Sequence, residues 1–123
     1  MSRNEQIIDE FSAAWSRLDA DELAGYFTED AVWNFSPTEV VVGRANVLTA
    51  LADFLRDTSG VTFEIRHQMS SGNLVFNERI DHSIWGDKKV SLPVVGVFEL
   101  ENGKIKAWRD YFDMATFNNA LAE

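Results

Sequence analysis

Val90-Ser91-Leu92-Pro93-Val94-Val95-Gly96-Val97-Phe98-Glu99-Leu100, then Glu101-Asn102-Gly103-Lys104, then Ile105-Lys106-Ala107-Trp108-Arg109-Asp110-Tyr111-Phe112, is the stretch that decides the fold. Asn-Gly between two strand-forming runs is a strong short hairpin signal, because both residues tolerate the positive φ of a tight turn. Val90 to Leu100 is apolar on both faces, the pattern of a central strand covered on each side, and Pro93 and Gly96 suggest a bulge or bend within it. On the strand after the turn, alternate side chains share a face, so Trp108, Asp110 and Phe112 point the same way. One carboxylate stands between two large aromatics. An apolar setting disfavours its ionised form unless something pairs with it.

Working back along the chain, Leu74 to Trp85 reads as a long strand between two turns, Ser70-Ser71-Gly72-Asn73 and Gly86-Asp87-Lys88-Lys89. Val61 to Met69 alternates, with Val61, Phe63, Ile65, His67 and Met69 expected on one face. The N-terminal half is helical instead. Ile7, Ile8, Phe11, Ala14, Trp15 and Leu18 recur at helical spacing over Ser2 to Leu18. Asp19 or Asp21 caps a second short helix carrying Leu23, Tyr26 and Phe27. Ala31 to Phe35 is a short strand closed by Ser36-Pro37, and Val40 to Val42 adds an edge strand. Gly43 opens a third helix with Val47, Leu48, Leu51, Phe54 and Leu55 as its apolar stripe. Asp113 caps a C-terminal helix containing Phe117 and Leu121. Helices first, then hairpin-linked strands, predicts an α+β domain over residues 1–123, with the helices packed on one face of a curved antiparallel sheet.

Composition narrows the function classes. Aromatic residues make up 12% of the chain, nine of them Phe and four Trp, which supports a solid core or an aromatic-lined cavity. The net charge of −9 argues against nucleic acid and anionic membrane surfaces as partners. The absence of cysteine removes disulfides, thiolate metal sites and cysteine nucleophiles together. Met1 to Trp15 lacks the continuous apolar run of a signal peptide, and no apolar stretch is long enough to span a bilayer, so a cytoplasmic location is the default expectation.

Asn77, Arg79, Asp81 and Ser83 share one face of their strand, opposite Leu74, Phe76, Ile80 and Ile84. The plain reading is a solvated polar face and a buried apolar one. Against it, Arg79 and Asp81 can pair along one face, and Asp110 needs a charged partner that Arg79 can supply. Two carboxylates bridged by a guanidinium hold unlike protonation states, so one acts as base and the other as acid at the same pH. Arginine suits the bridge because its planar fork bonds both and stays charged.

Glu78-Arg79-Ile80-Asp81, Pro93-Val94-Val95-Gly96-Val97-Phe98, Gly103-Lys104-Ile105 and Trp108-Arg109-Asp110-Tyr111-Phe112-Asp113 together resemble the limonene-1,2-epoxide hydrolase family. That family belongs to the nuclear transport factor 2-like (SnoaL-like) superfamily of cone-shaped α+β domains, whose sheet is strongly curved. The resemblance is dense from Leu74 to Phe117 and fainter before that, where Val32-Trp33-Asn34 and Gly43-Arg44 match comparable segments. It implies that Asp110 is the base that draws a proton from water, Asp81 the acid that protonates the epoxide oxygen, Arg79 the bridge and Asn34 an amide that helps hold the water. The implied reaction gives a vicinal diol in one step from a small apolar epoxide, with no metal, cofactor or covalent intermediate. It also implies a homodimer formed through the sheet face opposite the pocket. The resemblance departs at Val32, where the family carries a tyrosine that also holds the water.

Trp108, Phe112, His67 and Val32 are the candidate substrate contacts. For His67, a buried structural histidine is the bland alternative. His82 points away from Asp81 by alternation, and the two histidines have no metal-ligand spacing. Three functional readings stay open: an epoxide hydrolase; an isomerase or cyclase of ketosteroid isomerase or SnoaL type, in which an aspartate shuttles a proton on carbon; and a non-catalytic, dimerising small-molecule-binding module.

Overall fold

The computed structural model describes residues 2–36 and 39–122; Pro37, expected to close the first strand, lies outside them. Ser2 opens the first helix, α1 (Arg3–Ala14), its hydroxyl accepting from the backbone N–H of Glu5 at 3.1 Å. A 3-10 turn over Trp15–Arg17 carries the apolar stripe on to Trp15. Asp19, rather than Asp21, caps α2 (Ala20–Ala24), accepting from the N–H of Glu22 at 3.2 Å. This helix is shorter than the sequence suggests. Phe27 belongs to the next strand, because Ile105 N–H donates to the carbonyl of Tyr26 at 2.8 Å and draws the chain into a ladder.

The remaining elements are β1 (Phe27–Ser36), β2 (Glu39–Val42), α3 (Arg44–Arg56), β3 (Gly60–Ser71), β4 (Leu74–Trp85), β5 (Lys88–Glu101), β6 (Lys104–Tyr111) and α4 (Met114–Ala122). They build one six-stranded curved sheet in the order β2-β1-β6-β5-β4-β3. Every pairing is antiparallel except β1 with β6, so the sheet is mixed. The hairpin between β5 and β6 turns at Asn102 and Gly103, with φ of 50° and 79°, the two consecutive positive values of a type I′ turn.

Two details of the strands differ from the sequence expectation. Over Lys88 to Val95, β5 alternates between buried and exposed; consecutive burial is confined to Gly96, Val97 and Phe98. Neither Pro93 nor Gly96 breaks the β4–β5 register, and the irregularity on β5 falls at Glu99/Leu100 against β6. Pro93 is tolerated because β6 ends opposite Val95, leaving that edge of β5 without a ladder bond to lose. On β3, the register against β4 slips between Ile65 and His67. One extra residue inverts the alternation. Val61 and Phe63 therefore face inward, as read, but beyond the bulge Gln68 turns in while His67 and Met69 turn out.

The core has two parts. A large cluster under α1 and α3 includes Phe11, Trp15, Phe27, Phe98 and Trp108, with Phe11 edge-on to five aromatic neighbours and Trp108 stacked between Trp33 and Phe98. A smaller cluster forms where Phe117 and Leu121 of α4 meet Val90, Leu92 and Val94 of β5. Asp113 caps α4 as expected, accepting from Ala115 N–H at 3.1 Å. Among the described residues no helix is long and apolar enough to cross a membrane.

Candidate active site

Three rows of the sheet position the site. Asn77, Gly96 and Asp110 are register partners across β4, β5 and β6; Arg79 pairs with Val94, and Asp81 with Leu92. Alternation puts Asn77, Arg79, Asp81 and Ser83 on the inner face of β4, and Trp108 and Asp110 on the inner face of β6. The polar face of β4 is thus buried, while Phe76 and Ile84 on its apolar face are exposed. The plain reading of this strand is inverted.

Arg79 is the centre of the arrangement. Its side chain is 0% exposed, against 17% for Asp81 and 10% for Asp110. Nε donates to Asp81 Oδ1 and Nη2 to Asp81 Oδ2, both at 2.9 Å, a two-pronged grip. Nη2 also donates to Asp110 Oδ2 at 2.9 Å, and Nη1 donates to Asn77 Oδ1 at 3.0 Å. The second oxygen of Asp110 accepts from the Trp108 indole N–H at 2.7 Å. The guanidinium carbon lies 4.7 Å from the centre of the Phe63 ring, a cation–π contact in a dry setting.

Glycine at position 96 is what makes room. A Cβ there would sit 2.3 Å from Nη1 of Arg79, 2.9 Å from Asn77 Oδ1 and 3.0 Å from Asp110 Oδ1. The guanidinium lies on bare backbone in the gap between Asn77 and Asp110.

The electrostatics follow from this packing. Burial opposes the charge on Arg79, but the attraction of Asp110 and the hydrogen bonds and charge of Asp81 outweigh it, so its pKa rises and it stays charged. Burial pushes the Asp110 carboxyl above the usual carboxylate range. The charge of Arg79 pulls it back in part, Asp81 pushes it further up, and the hydrogen bonds from Arg79 and Trp108 hold it down without reversing the shift.

The carboxylates open onto a cavity of about 230 Å³ where the two core clusters meet. Its walls are almost entirely apolar, with Trp33, Phe54, Phe63, Leu92, Phe112 and Phe117 among them. Polar groups come from Asp81, Ser83 and Asp110 on the sheet side, the pattern of a site for a small apolar molecule oriented by a few polar atoms. Among the described residues, no three histidine, aspartate or glutamate side chains gather as a metal-binding group.

The structure brings Arg79, Asp81, Asp110 and Trp108 together, and Phe112 joins the wall from just beyond the end of β6. It does not bring in Asn34, Val32 or His67. On β1 the inward residues are Trp33, stacked on Trp108 at 5.0 Å between ring centres, and Phe35. Asn34 and Val32 alternate to the other face, opposite Arg109 and Ala107 of β6. Asn34 therefore does not reach the carboxylates, and aromatic carbon lines the cavity where a polar grip on water was expected. His67 is turned out by the β3 bulge, with a side chain 78% exposed. His82 also faces outward, bonded to Ser91 and Glu64. Sequence reasoning passed over Asn77, Gly96, Phe63 and Gln68 as site residues. The run Asn77-x-Arg79-x-Asp81 on a strand with an apolar opposite face was the available signal for Asn77. Nothing local marks the other three.

A family model described as the limonene-1,2-epoxide hydrolase catalytic domain matches residues 2–123. The chain is 34% identical over 111 residues to epoxide hydrolase EphG of Mycobacterium tuberculosis, covering 87% of this chain and 71% of that protein. Among solved structures, an M. tuberculosis epoxide hydrolase of the limonene-epoxide-hydrolase-like type superposes with a TM-score of 0.85 at 28% identity, covering 98% of this chain and 90% of that one. A nuclear transport factor 2-like protein of unknown function from Burkholderia pseudomallei gives 0.87 at 19% identity over the whole of both chains. A protein with a ketosteroid isomerase-like fold from Catenulispora acidiphila gives 0.81 at 17%, covering 89% of this chain and 87% of that one. The last two show the shared fold alone. With the Arg79-bridged carboxylates at the end of an aromatic cavity, these matches place the chain in the limonene-1,2-epoxide hydrolase family, as an epoxide-hydrolase-like enzyme of the nuclear transport factor 2-like α+β fold.

Proposed function

We propose that the protein opens a small, largely apolar epoxide with water to give a vicinal diol, by general acid–base catalysis in one step. The observation that carries this reading is the single buried guanidinium hydrogen-bonded to both Asp81 and Asp110, with both carboxylates at the end of an aromatic cavity. Asp110 takes a proton from water as the water oxygen bonds to one ring carbon. The carbon–oxygen bond of the ring breaks, and its electron pair leaves on the oxygen, which takes a proton from Asp81. One proton gained and one lost leaves the pair to be reset by a single exchange with solvent. A raised pKa suits Asp110 to this part, because a base is most effective when its pKa approaches the working pH. Arg79 stays charged throughout and allows one proton to be shared by two carboxylates in an apolar enclosure.

Incubating the purified protein with small cyclic and aryl epoxides in heavy-oxygen water tests this. The expected result is a diol carrying one labelled oxygen, and its loss in D110N with the fold retained. Undiminished diol formation by D110N overturns the assignment.

One observation favours a second reading. Trp33 and Phe35 present carbon where a water-holding group belongs, a setting suited to proton transfer on carbon as in an isomerase or cyclase. Solvent deuterium entering the carbon skeleton of the product, with no oxygen label, would identify that chemistry.

We also propose that two copies associate through the outer face of the sheet. Phe76, Val95 and Tyr111 are exposed there, and Val95 and Tyr111 are register partners.

A further inference from the structure

The fourth hydrogen bond of Arg79 leads away from the cavity. Nη1 donates to Asn77 Oδ1 at 3.0 Å, Asn77 Nδ2 donates to Gln68 Oε1 at 3.1 Å, and Gln68 Nε2 donates to Asp9 Oδ1 at 2.9 Å and to the backbone carbonyl of Glu5 at 3.3 Å. The series runs from β4 through β3 to α1, ending at the partly exposed edge of the helix. Asn77 is 3% exposed.

Its direction is set at both ends. A guanidinium only donates, and the Asp9 oxygen accepts. With those ends fixed, each amide has one orientation that satisfies both neighbours: oxygen toward Arg79, nitrogen toward Asp9. Turning either amide over sets oxygen against oxygen or nitrogen against nitrogen on both sides. Gln68 is available only because the β3 bulge between Ile65 and His67 inverts the alternation; without it His67 would face Asn77's row. Bulges are used to re-aim side chains beside active sites.

We propose that Asn77 and Gln68 are positioning residues, an amide relay anchored at Asp9 that fixes the rotation of the Arg79 guanidinium about its long axis. The edge formed by Nε and Nη2 serves the two carboxylates, and the relay holds the remaining corner, Nη1, so that this edge cannot turn away. The relay extends the hydrolase reading and rests on it only for the kinetic half of its test.

The test uses variants that conserve shape. Q68E keeps an acceptor for Asn77 but removes the donor to Asp9 and sets two carboxylates face to face. D9N added to Q68E restores a donor at that junction in the reversed sense. In nitrogen-15 arginine side-chain NMR, the Arg79 guanidinium protons should be slow to exchange in the wild type, about tenfold faster in Q68E, and slow again in the double variant. For diol formation, kcat should fall about tenfold in Q68E with KM within about twofold, and recover in the double variant. Wild-type guanidinium exchange and kcat in Q68E, or no recovery in the double variant, overturns the relay. If the wild-type protein turns over no epoxide, the NMR comparison still decides the relay, and only the hydrolase reading fails.

Discussion

The guanidinium of Arg79 rests on the backbone of Gly96, so close that a Cβ at position 96 would lie 2.3 Å from Nη1. The contact joins a sequence requirement on one strand to the chemistry of two others. Asn77 and Asp110 flank Gly96 in the same row, and the gap between them is the bed in which the charge lies. G96A should therefore displace Arg79. We expect a stability loss of about 1–3 kcal/mol in urea unfolding, as for overpacking generally. Diol formation should drop about a hundredfold, because an ångström-scale misplacement disturbs both carboxylates at once. Wild-type activity in G96A would show that the guanidinium can take another seat.

Removing the charge altogether should be worse for folding. R79M leaves two buried carboxylates without a counter-charge, and breaking buried pairs of this kind costs about 3–5 kcal/mol. The loss should be largest near neutral pH and shrink in acid, where the carboxylates take up protons. Urea unfolding of R79M across pH measures both the size and the trend.

Asp110 gives the wild-type protein a pH dependence of definite sign. Its folded pKa is raised, so between the ordinary aspartate range and that higher value the folded state binds more protons than the unfolded one. Its contribution is fully present below the unfolded pKa and is lost as pH rises through the folded one. D110N removes the titrating group, so the stability difference between D110N and wild type should shift in favour of D110N as pH rises through this window. If Asp110 is the base, kcat/KM should fall on an acid limb whose midpoint lies above the usual carboxylate range.

Alternation on β1 separates two neighbours that a sequence comparison treats together. N34A should leave kcat/KM within about twofold, because Asn34 faces away from the cavity, and H67A should change stability by no more than about 0.5 kcal/mol, the usual span for exposed positions. W33A should lose activity and stability together, since Trp33 stacks on the indole that bonds Asp110. A strong kinetic effect of N34A would return that amide to the site.

Tyr111 is 56% exposed beside Val95 on the outer face. Light scattering after gel filtration should give twice the chain mass for the wild type, and Y111E should shift it toward the single-chain mass without changing the circular dichroism spectrum. A wild-type protein that runs as one chain at micromolar concentration rules out the proposed association.

Much of the architecture was legible because local chemistry and the global fold agree. The turn at Asn102-Gly103, the caps at Asp19 and Asp113, and the span of β4 follow from turn propensity, capping and period-two alternation. Arg79, Asp81 and Asp110 were legible as candidates as well, because a carboxylate flanked by Trp108 and Phe112 needs a charged partner, and Arg79 can pair with Asp81 along one face of β4.

The linear sequence by itself therefore determined an α+β chain of N-terminal helices and hairpin-linked strands, and the two strands that carry Arg79, Asp81 and Asp110. Tertiary structure alone decided which face of β1, of β4 and of the end of β3 became the interior. A one-residue bulge on β3 exchanged His67 for Gln68, and parallel pairing with β6 set Trp33 rather than Asn34 against Trp108. Register is a non-local property: a slip of one residue moves every side chain beyond it to the other face. For the same reason Gly96, which in sequence suggests only a bulge or bend, became the seat of the Arg79 guanidinium once three strands were aligned.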